Sequence, residues 1–218
     1  MNISAIMENE DVESDSLYSC DTYPLLLILS GPSGVGKDTV ARRLIERRPE
    51  NFFFVGSATT RRPRPDEVHG VDYLFVRNDE VAHMIETDEL LEHAIVYNDY
   101  KGIPKQQIRD ALASGRDVIL RVDVQGAHTV RSLVPNSVSV FLTTRTEQGL
   151  VDRLQHRKQD TAEGMALRTA TARQEMKRIR EFDYCVVNPE GQPDKAVDQV
   201  LSIIDAEHSR VNQEPVEL

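Results

Sequence analysis

The stretch LLLILSGPSGVGKDTV, residues 25–40, decides how this chain folds. Its first five residues are all apolar, as in a strand buried between two layers of helices. GPSGVGK, residues 31–37, has the spacing of a phosphate-binding loop, in which glycines let backbone N–H groups turn inward around phosphate oxygens. The helix that follows adds its positive N-terminal end. We therefore predict a nucleotide site formed by Gly31, Pro32, Ser33, Gly34, Val35, Gly36, Lys37, Asp38 and Thr39.

Asp38 is the unusual residue of this loop, because a Ser or Thr that helps to bind Mg²⁺ normally follows the lysine. A carboxylate pointed at the phosphates would repel them by an energy on the order of several kcal/mol in a low-dielectric pocket. Pointed outward from the first helical turn, it would stabilise the helix N-terminus. Facing Mg²⁺ or its water shell, it would be a suitable neighbour. Thr39 offers a hydroxyl close by, so the substitution does not by itself exclude function.

The composition fits one globular unit with a small inserted domain: 218 residues, 39% hydrophobic and 28% charged. The net charge of −10 argues against general nucleic-acid binding. The longest aliphatic run, residues 25–29, is too short to span a membrane. Cys20 and Cys185 lie far apart, which favours a reducing compartment, and Cys185 is expected to be a buried thiol of an apolar strand.

The two ends of the chain are expected to be tails. Residues 1–23 carry six acidic side chains and no Lys or Arg, which predicts a disordered acidic tail and is unlike an Arg-rich transit peptide. A short C-terminal tail is expected at residues 211–218. We expect a cytoplasmic location, or an organelle stroma or matrix if a transit peptide has been removed.

Apolar runs alternate with helical patterns along the rest of the chain, which predicts an α/β fold with a parallel sheet covered on both faces. Between residues 57 and 103 the texture changes to prolines and short apolar runs, and we interpret this region as an inserted lobe. The predicted strands are residues 25–29, 52–55, 117–126, 137–142 and 184–188. The predicted helices are residues 38–48, 80–87, 105–114, 147–157, 162–180 and 194–208.

A second group of functional residues lies in SATTRRPRPDEVHGVDYLF, residues 57–75. Arg61 and Arg64 lie on either side of a proline, which stiffens the segment and holds two guanidiniums near each other. Guanidiniums bind phosphate through paired hydrogen bonds, and Tyr73 could add a neutral donor. By itself the same segment could also be a solvated basic loop.

With these motifs together, the chain from residue 25 to about residue 207 resembles guanylate kinase, which phosphorylates GMP with ATP. The matching segments are SGPSGVGK, TTRRPRPDEVHGVDYLFV, ELLEHA, VDVQGA and FDYCVVN, in the family's order. The resemblance implies a P-loop nucleoside monophosphate kinase with a parallel five-stranded sheet covered by helices. The whole domain would comprise residues 24–210: a core (residues 24–56, 104–146 and 174–210), a GMP-binding lobe (57–103) and a helical lid (147–173).

The resemblance also implies roles for individual residues. Glu92 would accept hydrogen bonds from guanine N1 and the 2-amino group, and Asn188 would lie near the donor adenine. The remaining GMP-binding residues would be Ser57, Arg61, Arg64, Tyr73, Lys101, Asp123 and Gln125. The catalytic set would be Lys37 with the lid arginines Arg153, Arg157, Arg168 and Arg173. Mg²⁺ would accompany ATP near Asp38, Thr39 and Asp123.

Three positions depart from the commonest pattern of that family. Lys101, in YKGI at residues 100–103, replaces a tyrosine that touches the GMP phosphate. Ile103 replaces a hydroxyl that helps to read guanine, so base selection should weaken or pass to another group. Arg121 stands where an acid is common, two residues before Asp123 and on the same strand face. These variants are similar to guanylate kinases of plant organelles.

The implied activity is transfer of the γ-phosphate of MgATP to GMP, and also to dGMP, in purine nucleotide metabolism. The acceptor is an ionised phosphate oxygen, so catalysis should rest on positioning and charge neutralisation. ATP and GMP are the expected partners of a monomer or homodimer that binds neither nucleic acid nor membrane. The alternatives are a kinase of other base specificity, a non-catalytic interaction module of guanylate-kinase type, and a plain ATP- or GTP-binding regulator. The intact loop disfavours the module, and the acceptor residues disfavour the regulator.

Overall fold

The computed structural model describes residues 22–63, 67–70, 73–96, 99–155 and 162–218. Nine strands and seven helices lie within these ranges, together with a 3₁₀ turn at Ile179–Glu181. The strands are β1 (Leu26–Ser30), β2 (Phe52–Phe54), β3 (Ala58–Thr59), β4 (Leu74–Phe75), β5 (Leu90–Val96), β6 (Asp99–Pro104), β7 (Asp117–Arg121), β8 (Val138–Thr143) and β9 (Tyr184–Val187). The helices are α1 (Lys37–Arg47), α2 (Asn78–Glu86), α3 (Lys105–Ala113), α4 (Val124–Leu133), α5 (Glu147–Gln155), α6 (Ala162–Met176) and α7 (Pro193–His208).

The main sheet has five strands in the order β2–β7–β1–β8–β9, and every pairing is parallel. The predicted parallel five-stranded sheet is confirmed. β1 lies at its centre, where Leu27 pairs in register with Ile119 on one side and with Val138 on the other. The carboxyl end of a central parallel strand is where open α/β sheets bind ligands, and the glycine-rich loop leaves β1 at that end.

Helices cover both faces of this sheet, which explains why β1 has no polar face. Successive side chains of a strand point to opposite sides. Leu27 and Leu29 therefore join one buried cluster, which α1 and α7 complete, while Leu26 and Ile28 join the other, which α3 and α4 complete. All five residues of β1 are buried.

A second sheet, in the order β4–β3–β6–β5, lies within residues 58–104. β3 pairs with β4 in parallel and with β6 antiparallel, and β5 pairs antiparallel with β6. The register of the last pair places Glu92 directly opposite Ile103. This segment coincides with the region that we interpret as an inserted lobe, and the exact lobe, lid and core boundaries stay a prediction.

Two predicted elements are wrong in extent. The predicted strand 117–126 ends at Arg121, and α4 begins at Val124, because Asp123 caps that helix by accepting the backbone N–H of Gly126 at 2.8 Å. The predicted helix 162–180 ends at Met176. Part of the predicted helix 147–157, beyond Gln155, lies outside the described residues.

The expectation that Cys185 is a buried thiol is also wrong. Cys185 is exposed, because β9 is an edge strand of the main sheet. An apolar run such as YCVV does not reveal whether both faces of its strand are covered.

The two predicted tails meet at their inner ends. Gln213 donates to the carbonyl of Tyr23 at 2.6 Å and accepts the backbone N–H of Tyr23 at 2.9 Å. Val216 packs against one buried cluster. Residues 1–21, which carry most of the predicted acidic tail, lie outside the described residues. Within the described ranges, no helix has the length and apolar character needed to cross a membrane.

Burial of β1 can be tested by deleting one of its side chains. We expect Leu27→Ala to lower the free energy of unfolding by about 2–5 kcal/mol, because the loss of a fully buried leucine leaves a cavity. Urea unfolding measures the change. Leu133→Ala is the matched control: its side chain is 57% exposed, and a loss of about 0.5 kcal/mol or less is expected. Equal losses in the two variants would contradict the two-sided core.

Candidate active site

The glycine-rich loop is shaped by contacts that only glycine permits. Gly31 has φ 133°, and a Cβ there would lie 2.1 Å from the carbonyl oxygen of Leu142 on β8. Gly36, at the N-cap of α1, has φ 91°, and a Cβ there would lie 2.5 Å from Nδ2 of Asn188. The loop therefore lies directly against β8 and the residue that follows β9, closer than any residue with a Cβ would allow.

Lys37 folds back over this loop. Its Nζ donates to the carbonyl of Gly31 at 2.5 Å and to that of Pro32 at 3.0 Å. Burial lowers the pKa of Lys37 below that of an ordinary lysine, although the nearby carboxylates of Glu175, Asp38 and Asp123 oppose the shift. Phosphate oxygens would supply the negative charge that this partly desolvated ammonium needs.

Asn188 and Arg153 clamp the middle of the loop. Asn188 Nδ2 donates to the carbonyl of Val35 at 2.8 Å, and Arg153 donates to the same carbonyl at 3.2 Å and to the carbonyl of Asn188 at 2.9 Å. Asn188 is buried, and its Oδ1 has no hydrogen-bond partner among the described residues. Two residues from distant parts of the sequence, one predicted for ATP and one for catalysis, thus meet at Val35.

Asp38 forms an ion pair with Arg121. The guanidinium of Arg121, at the end of β7, donates to Asp38 Oδ1 and also lies over the ring of Phe54, 5.6 Å from its centroid. Arg121 therefore neutralises the Asp38 carboxylate. Both residues are unusual at their positions in the sequence, and the structure pairs them with each other. Asp38 also lies in the first turn of α1, where a negative charge is favourable.

A pocket of about 280 Å³ lies between the loop and the second sheet. Five of the predicted GMP-binding residues line it, together with Lys37, Asp38 and Arg121 from the loop side. Those five residues are Ser57, Tyr73, Glu92, Lys101 and Asp123. Gln125 is exposed on α4 and is not among the lining residues.

Glu92 is half-buried in the lining of this pocket, close to the start of α4. Gly126 makes the approach possible: a Cβ there would lie 3.0 Å from Glu92 Oε1. Burial raises the pKa of the Glu92 carboxyl, and the negative charge of Asp123 raises it further. A carboxylate in this setting is poorly solvated and would gain from N–H donors of a ligand.

Arg61 is held near the pocket by aromatic and acidic neighbours. Its guanidinium lies 5.3 Å from the centroid of Tyr73 and bonds to Glu67 at 2.8 Å, and the pKa of Arg61 is raised chiefly by that hydrogen bond. Lys101 Nζ lies 5.7 Å from the centroid of the same tyrosine. Two cations thus converge on Tyr73. Arg64 lies outside the described residues.

Two of the other predicted arginines, Arg168 and Arg173, lie on α6. Arg173 pairs with Glu147 at 2.6 Å in an exposed position, and Arg168 is half-buried on α6. Arg157 lies outside the described residues. Lys37 and Arg153 therefore both contact the loop, whereas Arg173 on α6 pairs with Glu147 on α5.

Sequence patterns did not single out two residues of this site. Gly126 carried a signal, since a glycine in a strand pattern often marks a bulge or a close approach by another group. Glu175 carried none, because it is one of many charged residues in a helical segment. It lies close enough to Lys37 to affect its pKa, and burial raises its own.

The acidic groups fit a magnesium ion that arrives with ATP. Among the described residues, no group of three or more His, Cys, Asp or Glu side chains forms a metal cage. Mg²⁺ commonly uses one or two carboxylates, substrate phosphates and several waters. Asp123 lines the pocket beside Lys37 and Asp38, and one of its oxygens accepts the Gly126 N–H.

A phosphate-binding loop at the end of a five-stranded parallel sheet, beside a pocket lined by cations and by the carboxylate of Glu92, defines a P-loop nucleoside monophosphate kinase. The guanylate kinase family model matches residues 23–207. The chain therefore belongs to the guanylate kinase family, and it is an enzyme that transfers a phosphoryl group to a nucleoside monophosphate.

Individual relatives agree with this assignment. The chain is 54% identical to guanylate kinase 2, chloroplastic/mitochondrial, of Oryza sativa subsp. japonica, over 89% of this chain and 68% of the relative. It is 42% identical to a guanylate kinase of Lactobacillus johnsonii, over 86% and 91%. The crystal structure of guanylate kinase from Anaplasma phagocytophilum superposes with a TM-score of 0.70 at 26% identity, over 89% and 91% of the two chains. The predicted family, fold and phosphorylation of GMP by ATP are confirmed.

The lowered pKa of Lys37 has a measurable consequence. Without nucleotide, Lys37 loses its proton at a lower pH than an ordinary lysine, and bound phosphates would restore that proton. We therefore expect ATP binding to take up protons at alkaline pH, between the lowered pKa of Lys37 without nucleotide and its pKa with phosphates bound, as measured by calorimetry in buffers of different ionisation enthalpy. Lys37→Arg is the control, because arginine stays charged. The same uptake in both proteins would assign the proton to another group.

Proposed function

We propose that this guanylate kinase accepts dGMP as well as GMP, with ATP on the glycine-rich loop and the acceptor in the adjacent pocket. One observation carries the proposal. A single pocket is lined by Lys37 from the loop and by Tyr73, Glu92 and Lys101 from the second sheet. An acceptor that fills this pocket would have its base next to Glu92 and its phosphate near Tyr73 and Lys101, within reach of Lys37.

Glu92 is the proposed guanine-reading group. An ionised carboxylate can accept one hydrogen bond from guanine N1–H and one from the 2-amino group, and adenine offers no N–H at N1. Ile103, opposite Glu92 in the sheet and 2% exposed, contributes only apolar contact. Base selection in this chain would therefore depend on Glu92 and on the shape of the pocket, without the hydroxyl that the family often has there.

The acceptor phosphate is proposed to bind Arg61, Arg64, Tyr73 and Lys101, with Ser57 nearby. In the structure Arg61 bonds to Glu67, a partner that a phosphate would have to replace or share. Arginine has five N–H donors, so its guanidinium can hold both groups at once. Lys101 adds a point charge where a tyrosine hydroxyl is usual.

Phosphoryl transfer would depend on charge neutralisation around the transferring group. The proposed donor site is residues 31–39 with Asn188, and the proposed catalytic residues are Lys37, Arg153, Arg157, Arg168 and Arg173. Mg²⁺, held near Asp38, Thr39 and Asp123, would neutralise the donor phosphates when bound. Closure of the arginine-bearing helices would exclude water and prevent ATP hydrolysis. Gln125 is retained as a proposed neighbour of GMP.

We retain the division into a core, a GMP-binding lobe at residues 57–103 and a lid at residues 147–173, in a monomer or homodimer. The name of the rice relative supports an organelle stroma or matrix. Small-molecule substrates are its proposed partners.

A substrate panel tests the function. ADP release is measured with MgATP against GMP, dGMP, IMP, AMP, CMP and UMP, with Lys37→Ala as the control. We expect turnover with GMP and dGMP, and loss of about 100-fold or more in the control, because the variant lacks the charge that stabilises the transferring phosphoryl group. Turnover with another monophosphate instead would change the assigned base. Nucleotide binding without any turnover would favour a non-catalytic interaction module.

The raised pKa of Glu92 predicts the pH dependence of GMP use. As the pH falls through this raised pKa, Glu92 gains a proton and no longer accepts both guanine hydrogen bonds, so KM for GMP should rise at a higher pH than an ordinary glutamate would require. Glu92→Gln should raise KM for GMP about 10- to 100-fold at neutral pH. It should also remove this part of the pH profile.

The phosphate of GMP also titrates, but it does so equally with both proteins. The difference between the two KM profiles therefore isolates the Glu92 carboxyl. If the profiles run parallel, Glu92 does not read the base.

A further inference from the structure

The position of Arg121 suggests a role beyond pairing with Asp38. Arg121 is the last residue of β7, and it pairs in register with Leu29, two residues before the glycine-rich loop begins. Ligands of open α/β folds bind at this end of the sheet, beyond the carboxyl ends of its strands. Its side chain is 24% exposed and lines the same pocket as Lys37 and Lys101.

Two contacts hold the guanidinium at the pocket wall. Phe54 lies on one side, 5.6 Å from ring centroid to guanidinium carbon, and Asp38 binds Nη1. The Asp38 carboxylate is 65% exposed, so the pair contributes little to folding stability by itself. Because a guanidinium carries five N–H donors, donors remain for a ligand after Asp38 is bound. Arg121 is therefore fixed in place and still able to bind an anion.

The charges of the pocket depend on this residue. Among the lining residues that the structure describes, three are cations and three are carboxylates: Lys37, Lys101, Arg121, Asp38, Glu92 and Asp123. Without Arg121 two cations would face three carboxylates in this lining, which is a less favourable setting for the phosphate of a nucleoside monophosphate. Without Asp38 the guanidinium would lose the partner that holds it at the wall.

We propose that Arg121 binds the phosphate of the acceptor nucleotide, and that Asp38 is the counter-ion that positions it. This rests on the proposed function of the pocket, and it adds a phosphate ligand on the core side, opposite Arg61 and Lys101. It also accounts for Asp38 in a loop built for anions: the carboxylate faces a guanidinium that shields the phosphates from it.

The test compares a nucleotide with its nucleoside by calorimetry, which does not depend on turnover. For Arg121→Met we expect binding of GMP to weaken about tenfold or more, whereas binding of guanosine changes less than about twofold, because only GMP carries the phosphate. Arg121→Lys should recover part of the loss, since it restores the charge without the planar fork. Arg121→Met with unchanged GMP affinity, or with equal losses for both ligands, would overturn the proposal.

A double variant separates the two roles. In Arg121→Met the Asp38 carboxylate faces the phosphate without its partner, so Asp38→Ser/Arg121→Met should bind GMP more tightly than Arg121→Met alone. If the losses of GMP affinity in Asp38→Ser and in Arg121→Met simply add in the double variant, the two residues act independently, which contradicts the positioning role.

Arg116→Met is the matched control. Arg116 also lies over a phenylalanine, Phe53 at 5.0 Å, just before the opposite end of β7, and it is not among the pocket-lining residues. Its GMP and guanosine affinities should both stay at the values of the unmodified protein. If the unmodified protein binds GMP no better than guanosine, the proposed acceptor site fails for a reason that does not involve Arg121.

Discussion

Burial of β1 on both faces is the constraint on which the site depends. Its side chains alternate between two cores, so the strand cannot shift by one residue without exchanging them. Contacts also hold the loop that follows β1. Gly31 lies against the carbonyl of Leu142, and Asn188 and Arg153 donate to the carbonyl of Val35. Backbone N–H groups can form a phosphate site only if the protein holds them in place before the ligand arrives.

Opposite charges are paired around the pocket. Arg61 bonds to Glu67 and Arg121 bonds to Asp38, while Lys37 lies near three carboxylates. Arginines that already have a partner lose less conformational freedom when a phosphate binds than free side chains would. The same pairing lets an enzyme with a net charge of −10 hold a local site for anions.

Much of the fold and the site could be predicted because their signals are local. Sixteen consecutive residues contain the apolar run, the glycines of the loop and Lys37. The role of each can be inferred from burial, backbone geometry or charge. The start of α4 was missed because VDVQGA continues the apolar pattern of β7, and only the cap at Asp123 divides the two. The exposure of Cys185 was missed because an edge strand and a central strand can have the same apolar residues.

The sequence by itself determined the class of this protein: a central strand, a phosphate loop and an acceptor segment with the residues of the guanylate kinase family. Only the tertiary structure decided the environment of Asp38. Asp38 and Arg121 are 83 residues apart, and three different conformations of the carboxylate were physically reasonable. Parallel pairing of β7 with β1 brings them together, and such a contact depends on the register of two distant strands, which no local pattern encodes.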